Sequence, residues 1–403
     1  MDAPVAGRLS GIRWAVLAAY ASLAACTQLL WLTFAAIDTQ SGRVMHVDVG
    51  TVGDLSAIFP GVYIVLALPT GRWLDLRFRQ ALATGALLTG GGALVRLVAP
   101  NSFGWQLAGQ LVISAGQPLV LNSITKIATR YFPPQERATA VAIGSAALFA
   151  GILAAVLGAG PLFAAGGLPL VLGLQAAVAI VATAAMLIAL RTSSMFGDDA
   201  AVSGSLRWLT SDRFMWVLAG LLFIGIGIYN AVATYLQPIF ENFGEGGAAG
   251  NLIAVLTFAG IAGAAILPAA VAARDRRRAM LIAAVLLSAV MFAAVAAVHN
   301  VIWTGAWLFA GGFVLLASLP VVLDWAEIHT GPERQGAAVG FLLMAGNLGG
   351  LVLILLTQGV LNNAYLALGL LGAVCLAGVP LALRLPARTV PANQPPAMAP
   401  TIK

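Results

Sequence analysis

Apolar residues run along this chain in blocks of roughly twenty or more, and the polar positions fall almost entirely between the blocks. An α-helix rises about 1.5 Å per residue, so about 20 apolar residues are enough to cross the hydrocarbon of a bilayer. Read against their charged and Gly/Pro interruptions, the blocks predict twelve spanning helices. They fall at 12–37, 51–74, 80–99, 103–131, 138–163, 168–190, 214–240, 250–273, 279–298, 301–328, 336–361 and 364–383. Several exceed the minimum, which implies tilt or protruding ends. The long polar interval 191–213 divides six helices from six and reads as a cytoplasmic linker. The expected organisation is therefore a six-helix bundle over 1–190, a second over 214–385, and a disordered Pro- and Ala-rich tail over 386–403.

Composition names the solvent. Of 403 residues, 60% are hydrophobic and 9% charged, against roughly 45–50% and 25% in soluble domains. No soluble core of this size hides so much apolar surface, so the surrounding medium is lipid. The net charge of +6 does not point to a nucleic-acid partner, because the basic residues come a few at a time between apolar runs. Cys26 and Cys375 lie inside apolar segments and read as buried small hydrophobes, with no disulfide framework or metal cluster. Apolar sequence continues past Cys26, so the first segment reads as a true helix and not as a lipidated signal.

The basic residues also orient the chain. With the N-terminus in the cytoplasm, Arg8, Arg13, Arg72, Arg77, Arg79, Arg130, Arg137, Arg191, Arg207 and Arg213 face inward. So do Arg274, Arg276, Arg277, Arg278, Arg334, Arg384, Arg388 and Lys403, while Arg43 is the one basic residue in an outside loop. Positive charge concentrates on the cytoplasmic side of membrane proteins. Both termini are expected to be cytoplasmic, in what reads as a bacterial inner membrane.

The two halves repeat. Gly71-Arg72-Trp73-Leu74-Asp75-Leu76-Arg77 follows the second helix, and Val271-Ala272-Ala273-Arg274-Asp275-Arg276-Arg277 follows the eighth, an offset of 200 residues. Pro134-Gln135-Glu136-Arg137 follows the fourth helix and Pro332-Glu333-Arg334 the tenth, with Glu136 and Glu333 offset by 197. Paired matches in register are hard to ascribe to chance.

These residues resemble the major facilitator superfamily, whose signature between the second and third helices is G-x-x-x-D-(R/K)-x-G-(R/K)-(R/K). Gly71 and Asp75 match and Arg79 keeps a basic position, whereas Leu76, Phe78 and Gln80 depart from the pattern. The resemblance implies an all-α membrane fold of two pseudo-symmetric six-helix bundles. Substrate would be carried between them by alternating access, with no enzymatic chemistry and no cofactor. It also implies an inner gate in which carboxylates and guanidiniums form charge-assisted bonds. The residues concerned are Asp75, Arg79, Arg130, Glu136, Arg137, Asp275, Glu333 and Arg334. Topology-setting arginines beside a satisfied carboxylate are the plainer reading of the same turns.

A narrower resemblance covers Gly109-Gln110, Gly116-Gln117-Pro118, the stretch from Lys126 to Pro133, and Glu136-Arg137-Ala138-Thr139-Ala140. These, with Trp31, Phe34 and Ile37 in the first helix and Glu327 before Pro332, are similar to the feline leukaemia virus subgroup C receptor-related transporters. That implies a choline- or ethanolamine-like substrate, haem export having been proposed for relatives.

Candidate substrate residues follow. Gln28, Trp31, Ala35 and Asp38 share one stripe of the first helix, and Trp31 matches the family's substrate-facing tryptophan. An indole face attracts a quaternary ammonium by about 0.5–2 kcal/mol, although a tryptophan there also packs against neighbours. Gln106, Gln110, Ser114 and Gln117 form a second stripe; interhelical hydrogen bonds account for the first two, and Gln117 matches a pocket position. In the seventh helix the family's aromatic falls on Asn230, with Tyr229 one residue off and so turned by about 100°. Asn347 stands where the family has a glutamine. Asp324 and Glu327, three apart, are candidates for ion coupling or for a structural ion pair at the inner mouth, with Lys126 as a possible partner. Lys126 otherwise neutralises a carboxylate or snorkels.

The first helix has no carboxylate at mid-depth, so gradient-driven movement without proton coupling is expected. A proton-coupled drug or metabolite exporter is the alternative. His46, His299 and His329 lie at or near loops, which gives haem no axial ligand. Gly151, Gly158, Gly160, Gly166 and Gly167 faintly resemble an antiporter motif, but close helix packing is the simpler account. A membrane-embedded lipid enzyme would need a polar constellation at headgroup level, and none is visible. Twelve helices suffice for a path through a monomer, which is the expected state.

Overall fold

The computed structural model describes residues 3–35, 37–196, 206–244, 249–331 and 333–388. Within these the chain is helical: α1 (Ala3–Trp31), α2 (Asp38–Met45), α3 (Val49–Val95), α4 (Phe103–Leu121), α5 (Ile124–Tyr131) and α6 (Pro134–Ala189) come first. After α7 (Arg207–Ser211) follow α8 (Arg213–Glu241), α9 (Ala249–Ala273), α10 (Arg277–Ala297), α11 (Val301–Leu315), α12 (Ser318–Thr330), α13 (Gln335–Gln358) and α14 (Ala364–Leu383). The middle of the expected linker, 197–205, and the tail from 389 lie outside the described residues.

Among the described residues nine helices are long and apolar enough to cross a membrane, or ten with the bent pair α4–α5. Two of the nine are each two spans run together. Within α3 the backbone leaves helical geometry at Arg77 (φ −144°, ψ 62°), and within α6 it does so at Gly166 and Gly167. Gly167 sits at φ +67°, a left-handed value that a side chain would strain. Dividing both at these breaks leaves twelve passes, the number the hydropathy predicts.

Three other helices depart from the sequence expectation. The first ends at Trp31, not at 37, and i→i+3 bonds such as Ala35 N–H to the Leu32 carbonyl replace the helical ladder. A helix end frees carbonyls that need donors. The Leu30 carbonyl accepts from Thr33 Oγ1 (2.9 Å), Arg96 Nη1 (3.4 Å) and Gln110 Nε2 (3.4 Å). The predicted stripe through Ala35 and Asp38 is therefore interrupted, and Asp38 instead opens α2. The fourth span bends by 40° between α4 and α5, where Asn122 Nδ2 bonds the Ala67 carbonyl and Ser123 Oγ bonds that of Val120. The tenth breaks at Leu316 and Ala317, four residues ahead of Pro320, where a proline ring clashes with the helix and removes a bond.

The same pairings recur in the two halves. In the first, α1 lies along α6; in the second, α8 lies along α13. Gly151 of α6 abuts the Ala25 backbone, and Gly349 of α13 abuts the Phe223 backbone. Both members of the second contact lie 198 positions beyond those of the first, between the two offsets read from the loops. The close-packing reading of the α6 glycines thus holds for Gly151; a Cβ on Gly158 or Gly160 would meet nothing within 4 Å. Across the halves α3 packs on α13 and α6 on α9. Large apolar side chains such as Val65, Val181, Ile188, Phe258 and Ile302 are exposed on the outside, as a surface solvated by lipid requires.

Candidate functional site

A cavity of about 100 Å³ lies between the halves, walled by α1, α3, α4 and α6 on one side and by α8, α11, α12 and α13 on the other. One water needs roughly 10–15 Å³ on this scale, so the space admits several waters or a compact solute and is far too small for a porphyrin. Gln28, Trp31, Gln117, Tyr229, Asn230 and Asn347 all line it. The structure thus brings together every residue expected to meet substrate.

Their partners define the chemistry. Trp31 Nε1 donates to the Ser56 carbonyl at 2.9 Å, which fixes the indole beside Phe59, ring centroids 6.2 Å apart. Tyr229 shares a 3.2 Å hydrogen bond with Thr257 and meets Phe149 edge-on at 5.9 Å, a contact between the halves. Asn347 donates back to the Leu343 carbonyl at 2.8 Å, keeping its oxygen for the cavity. The side-chain amides of Gln28 and Gln117 are buried, and those of Gln28, Gln117 and Asn230 bond no other described residue. These three amides border the cavity with donors and acceptors to spare, so they can bond a solute or water within it. Tyr229 and Asn230 both reach the wall, so the one-residue offset costs the site neither the aromatic nor the amide. No acidic or basic side chain lines the cavity among the described residues.

Phe59, Phe149, Leu222, Ile226 and Ser318 are among the other wall residues and were not foreseen. Nothing in an apolar span marks which phenylalanine faces a neighbouring half, though Phe149 stands two residues from the tightly packed Gly151.

One end of the bundle is closed by charge. Asp75 accepts from the backbone N–H groups of Gly336 (2.7 Å) and Ala337 (3.0 Å) at the start of α13, and Lys126 Nζ stands 3.0 Å away. Gly71 and Gly336 touch backbone to backbone there, so a side chain on either would force α3 and α13 apart. Arg137 reaches across the halves to Glu327 at 3.3 Å, and Thr129 Oγ1 bonds Gln335 Oε1 at 2.9 Å. Asp324 pairs with Arg277 at 2.7 Å.

Of the readings open for Lys126, neutralising a carboxylate is the one observed, but the carboxylate is Asp75 and not Asp324 or Glu327. Each of those carboxylates has an arginine nearer, and the α4–α5 bend delivers Lys126 to Asp75. Asp275, expected to mirror Asp75, bonds Arg277 within its own turn at 3.2 Å and sits at a positive φ of 48°. Glu136 pairs with Arg13 inside the first half at 2.9 Å. Arg79 Nη2 holds the Thr192 carbonyl at 3.0 Å, while Arg130 stacks over Phe78 and Arg334 over Trp208. These residues brace the turns of that end within a half. Glu333 does not take part: it is exposed and has no partner among the described residues, because the turn after Gly331 (φ +70°) carries it outward. Among the histidines, His329 bonds Asp212 at 2.8 Å and His299 stacks on Phe243.

A second polar cluster surrounds Arg96, 1% exposed. Its guanidinium meets Gln106 Oε1 and Gln175 Oε1, each at 3.3 Å, and lies over Phe34 at 5.2 Å. Gln106 and Gln110 are thus spent on interhelical bonds, as expected.

A bundle of apolar helices in two repeating halves, with a neutral polar cavity between them and charge sealing one end, defines an integral membrane protein that binds a small molecule within the bilayer and transports it. The family model of the Major Facilitator Superfamily matches residues 16–352. The chain belongs to that superfamily and is a membrane solute transporter. It is 27% identical over 380 residues to solute carrier family 49 member A3 of Danio rerio, covering 88% of this chain and 79% of the relative. It is 24% identical over 395 residues to a choline/ethanolamine transporter of the same organism, covering 89% and 80%. Among solved structures, the E. coli fucose:proton symporter superposes with a TM-score of 0.73 at 15% identity, covering 91% of this chain and 97% of that one. A bacterial homologue of the iron transporter ferroportin in an outward-facing state gives 0.73 at 14%, covering 92% and 97%.

Proposed function

We propose that the protein carries a small organic amine or quaternary ammonium, of the choline/ethanolamine kind, by alternating access. The observation that carries this reading is the cavity itself. Unpaired amides at Gln28, Gln117 and Asn230 surround a space edged by the rings of Trp31, Phe59, Phe149 and Tyr229. Aromatic rings attract a cation that is too poorly hydrated to need a carboxylate, and the amides accept from a hydroxyl or an ammonium. The substrates for which the choline/ethanolamine transporters among its relatives are named agree with that chemistry.

In this proposal residues 1–190 and 214–385 act as two bodies that rock about the cavity, and the molecule works as a monomer without catalysis and without a nucleic-acid partner. The arginine-rich end, with both termini, faces the cytoplasm of a bacterial inner membrane, so the sealed state is one that receives solute from outside. Asp75 and the Arg137–Glu327 pair are the bonds that must open inward. Movement follows the solute's own gradient.

The test is uptake of labelled choline and ethanolamine into proteoliposomes containing the purified protein, beside an organic anion and a sugar as controls. Saturable amine uptake that Trp31→Ala reduces at least tenfold supports the proposal; amine uptake equal to protein-free vesicles overturns it. Proton flux locked to substrate flux at fixed membrane voltage would overturn the uncoupled mechanism alone.

A further inference from the structure

A second and larger hollow, about 710 Å³, lies on the outside of the second half, between the start of α8 and the end of α14. Its walls are apolar: Phe214, Trp216 and Val217 from α8, then Leu381, Leu385 and Pro386 from α14 and the residues after it. Two arginines line it, Arg213 and Arg384. Both are exposed, and neither makes a hydrogen bond, ion pair or ring contact through its guanidinium among the described residues.

The arrangement is more specific than a row of topology-setting charges. The chain packs a carboxylate against other guanidiniums at this end: Arg13 has Glu136, Arg137 has Glu327 and Arg277 has Asp324. A third arginine, Arg278, gives its Nη2 to the Leu383 carbonyl at 3.0 Å, adding positive charge one residue from Arg384. Trp216, 54% exposed, ties its Nε1 to the Leu209 carbonyl at 2.9 Å and meets Phe341 edge-on at 5.0 Å. A half-exposed tryptophan at the end of a membrane span marks the level of the lipid headgroups. The hollow therefore has a cationic mouth at headgroup depth and apolar walls leading from it.

We propose that this hollow is a binding site for an anionic phospholipid, its phosphate held by Arg213 and Arg384 and an acyl chain lying against Trp216, Val217 and Leu381. A phosphate and two guanidiniums make charge-assisted, bidentate bonds that a zwitterionic headgroup weakens by its own cation. The site is separate from the central cavity, and it stands whether or not the amine reading of that cavity does. A lipid here bridges the first and last helices of the second half, so its occupancy stabilises that half.

The experiment is native mass spectrometry and thermal melting of the full chain, purified in detergent and titrated separately with phosphatidylglycerol, phosphatidylcholine and inorganic phosphate. At about 1 kcal/mol for each arginine near an anionic lipid, the expected preference for phosphatidylglycerol over phosphatidylcholine is about thirty-fold. Arg213→Gln with Arg384→Gln should abolish the preference, and Arg213→Lys with Arg384→Lys should retain most of it. If the double glutamine variant does not fold, Arg384→Gln alone, on an exposed side chain, serves as the reading. Equal retention of both lipids, an undiminished preference in the glutamine variants, or equal stabilisation by inorganic phosphate would each overturn the proposal.

Discussion

Replacing Asp75 with asparagine removes one charge from the sealed end while leaving its shape nearly unchanged. In the parent, the two carboxylate oxygens take the Gly336 and Ala337 N–H groups, with Lys126 at 3.0 Å. Asparagine keeps one acceptor, so one backbone donor and the lysine lose their anion. Breaking a buried pair from one side costs about 3–5 kcal/mol. Even at the lower figure the balance between sealed and opened forms moves by about a hundred-fold, enough to bring a 99:1 mixture close to parity. Leu76 and Glu333 are exposed on opposite halves at this end, and the native Cys26 and Cys375 are buried, so spin labels on Leu76→Cys and Glu333→Cys report the separation. One short distance is expected in the parent, and a second, longer population of similar size after Asp75→Asn. Adding Lys126→Met should recover part of the sealed population, because it removes a buried cation whose Asp75 counter-charge is gone. An unchanged distance distribution in Asp75→Asn would refute the assignment of Asp75 as a latch.

Other outcomes follow from the same geometry. Gly336→Ala should favour the opened form in the spin-label assay, because its Cβ would overlap the Gly71 carbonyl, whereas Gly158→Ala, with open space around it, should leave both stability and distances alone. Arg96→Met should lower thermal stability by about 2–4 kcal/mol, since it strips buried carbonyls of a charged donor; near-UV circular dichroism should also change as Trp31 loses its fixed setting at the end of α1. Trp31→Phe should raise the KM for a quaternary amine several-fold and leave maximal uptake within twofold, as expected for losing about 1 kcal/mol of cation–π attraction.

The spans were readable because lipid leaves a strong mark: a segment facing hydrocarbon must be apolar along its whole length. Six of the cavity-lining residues were legible, partly because an amide or an indole amid such a segment needs something polar to face and partly through the family resemblance, which singled out Trp31, Gln117, Tyr229 or Asn230, and Asn347. What hydropathy does not carry is the company each helix keeps. Asp324 and Glu327 plainly required cations, yet their partners Arg277 and Arg137 are not sequence neighbours, and the bend at Asn122 takes Lys126 to Asp75. The end of α1 at Trp31 was hidden for a similar reason, since apolar sequence continues to Ile37 while the bonds that end the helix come from Arg96 and Gln110 on other spans. Arg96 itself offered a signal: a lone arginine inside an apolar run is costly unless buried among acceptors, which is where it lies.

The neutrality of the cavity walls bears on energetics as much as on recognition. On the uncoupled mechanism proposed above, no carboxylate of the described cavity wall travels or is neutralised, and the electrical work of one turnover would be that of the passenger alone. For a monovalent cation, a potential of 100 mV, negative inside, contributes about 2.3 kcal/mol to entry, equivalent to roughly fifty-fold accumulation. A zwitterion of the same size would gain nothing from it. Voltage alone would then let such a protein concentrate choline-like solutes, with no second ion to accompany them.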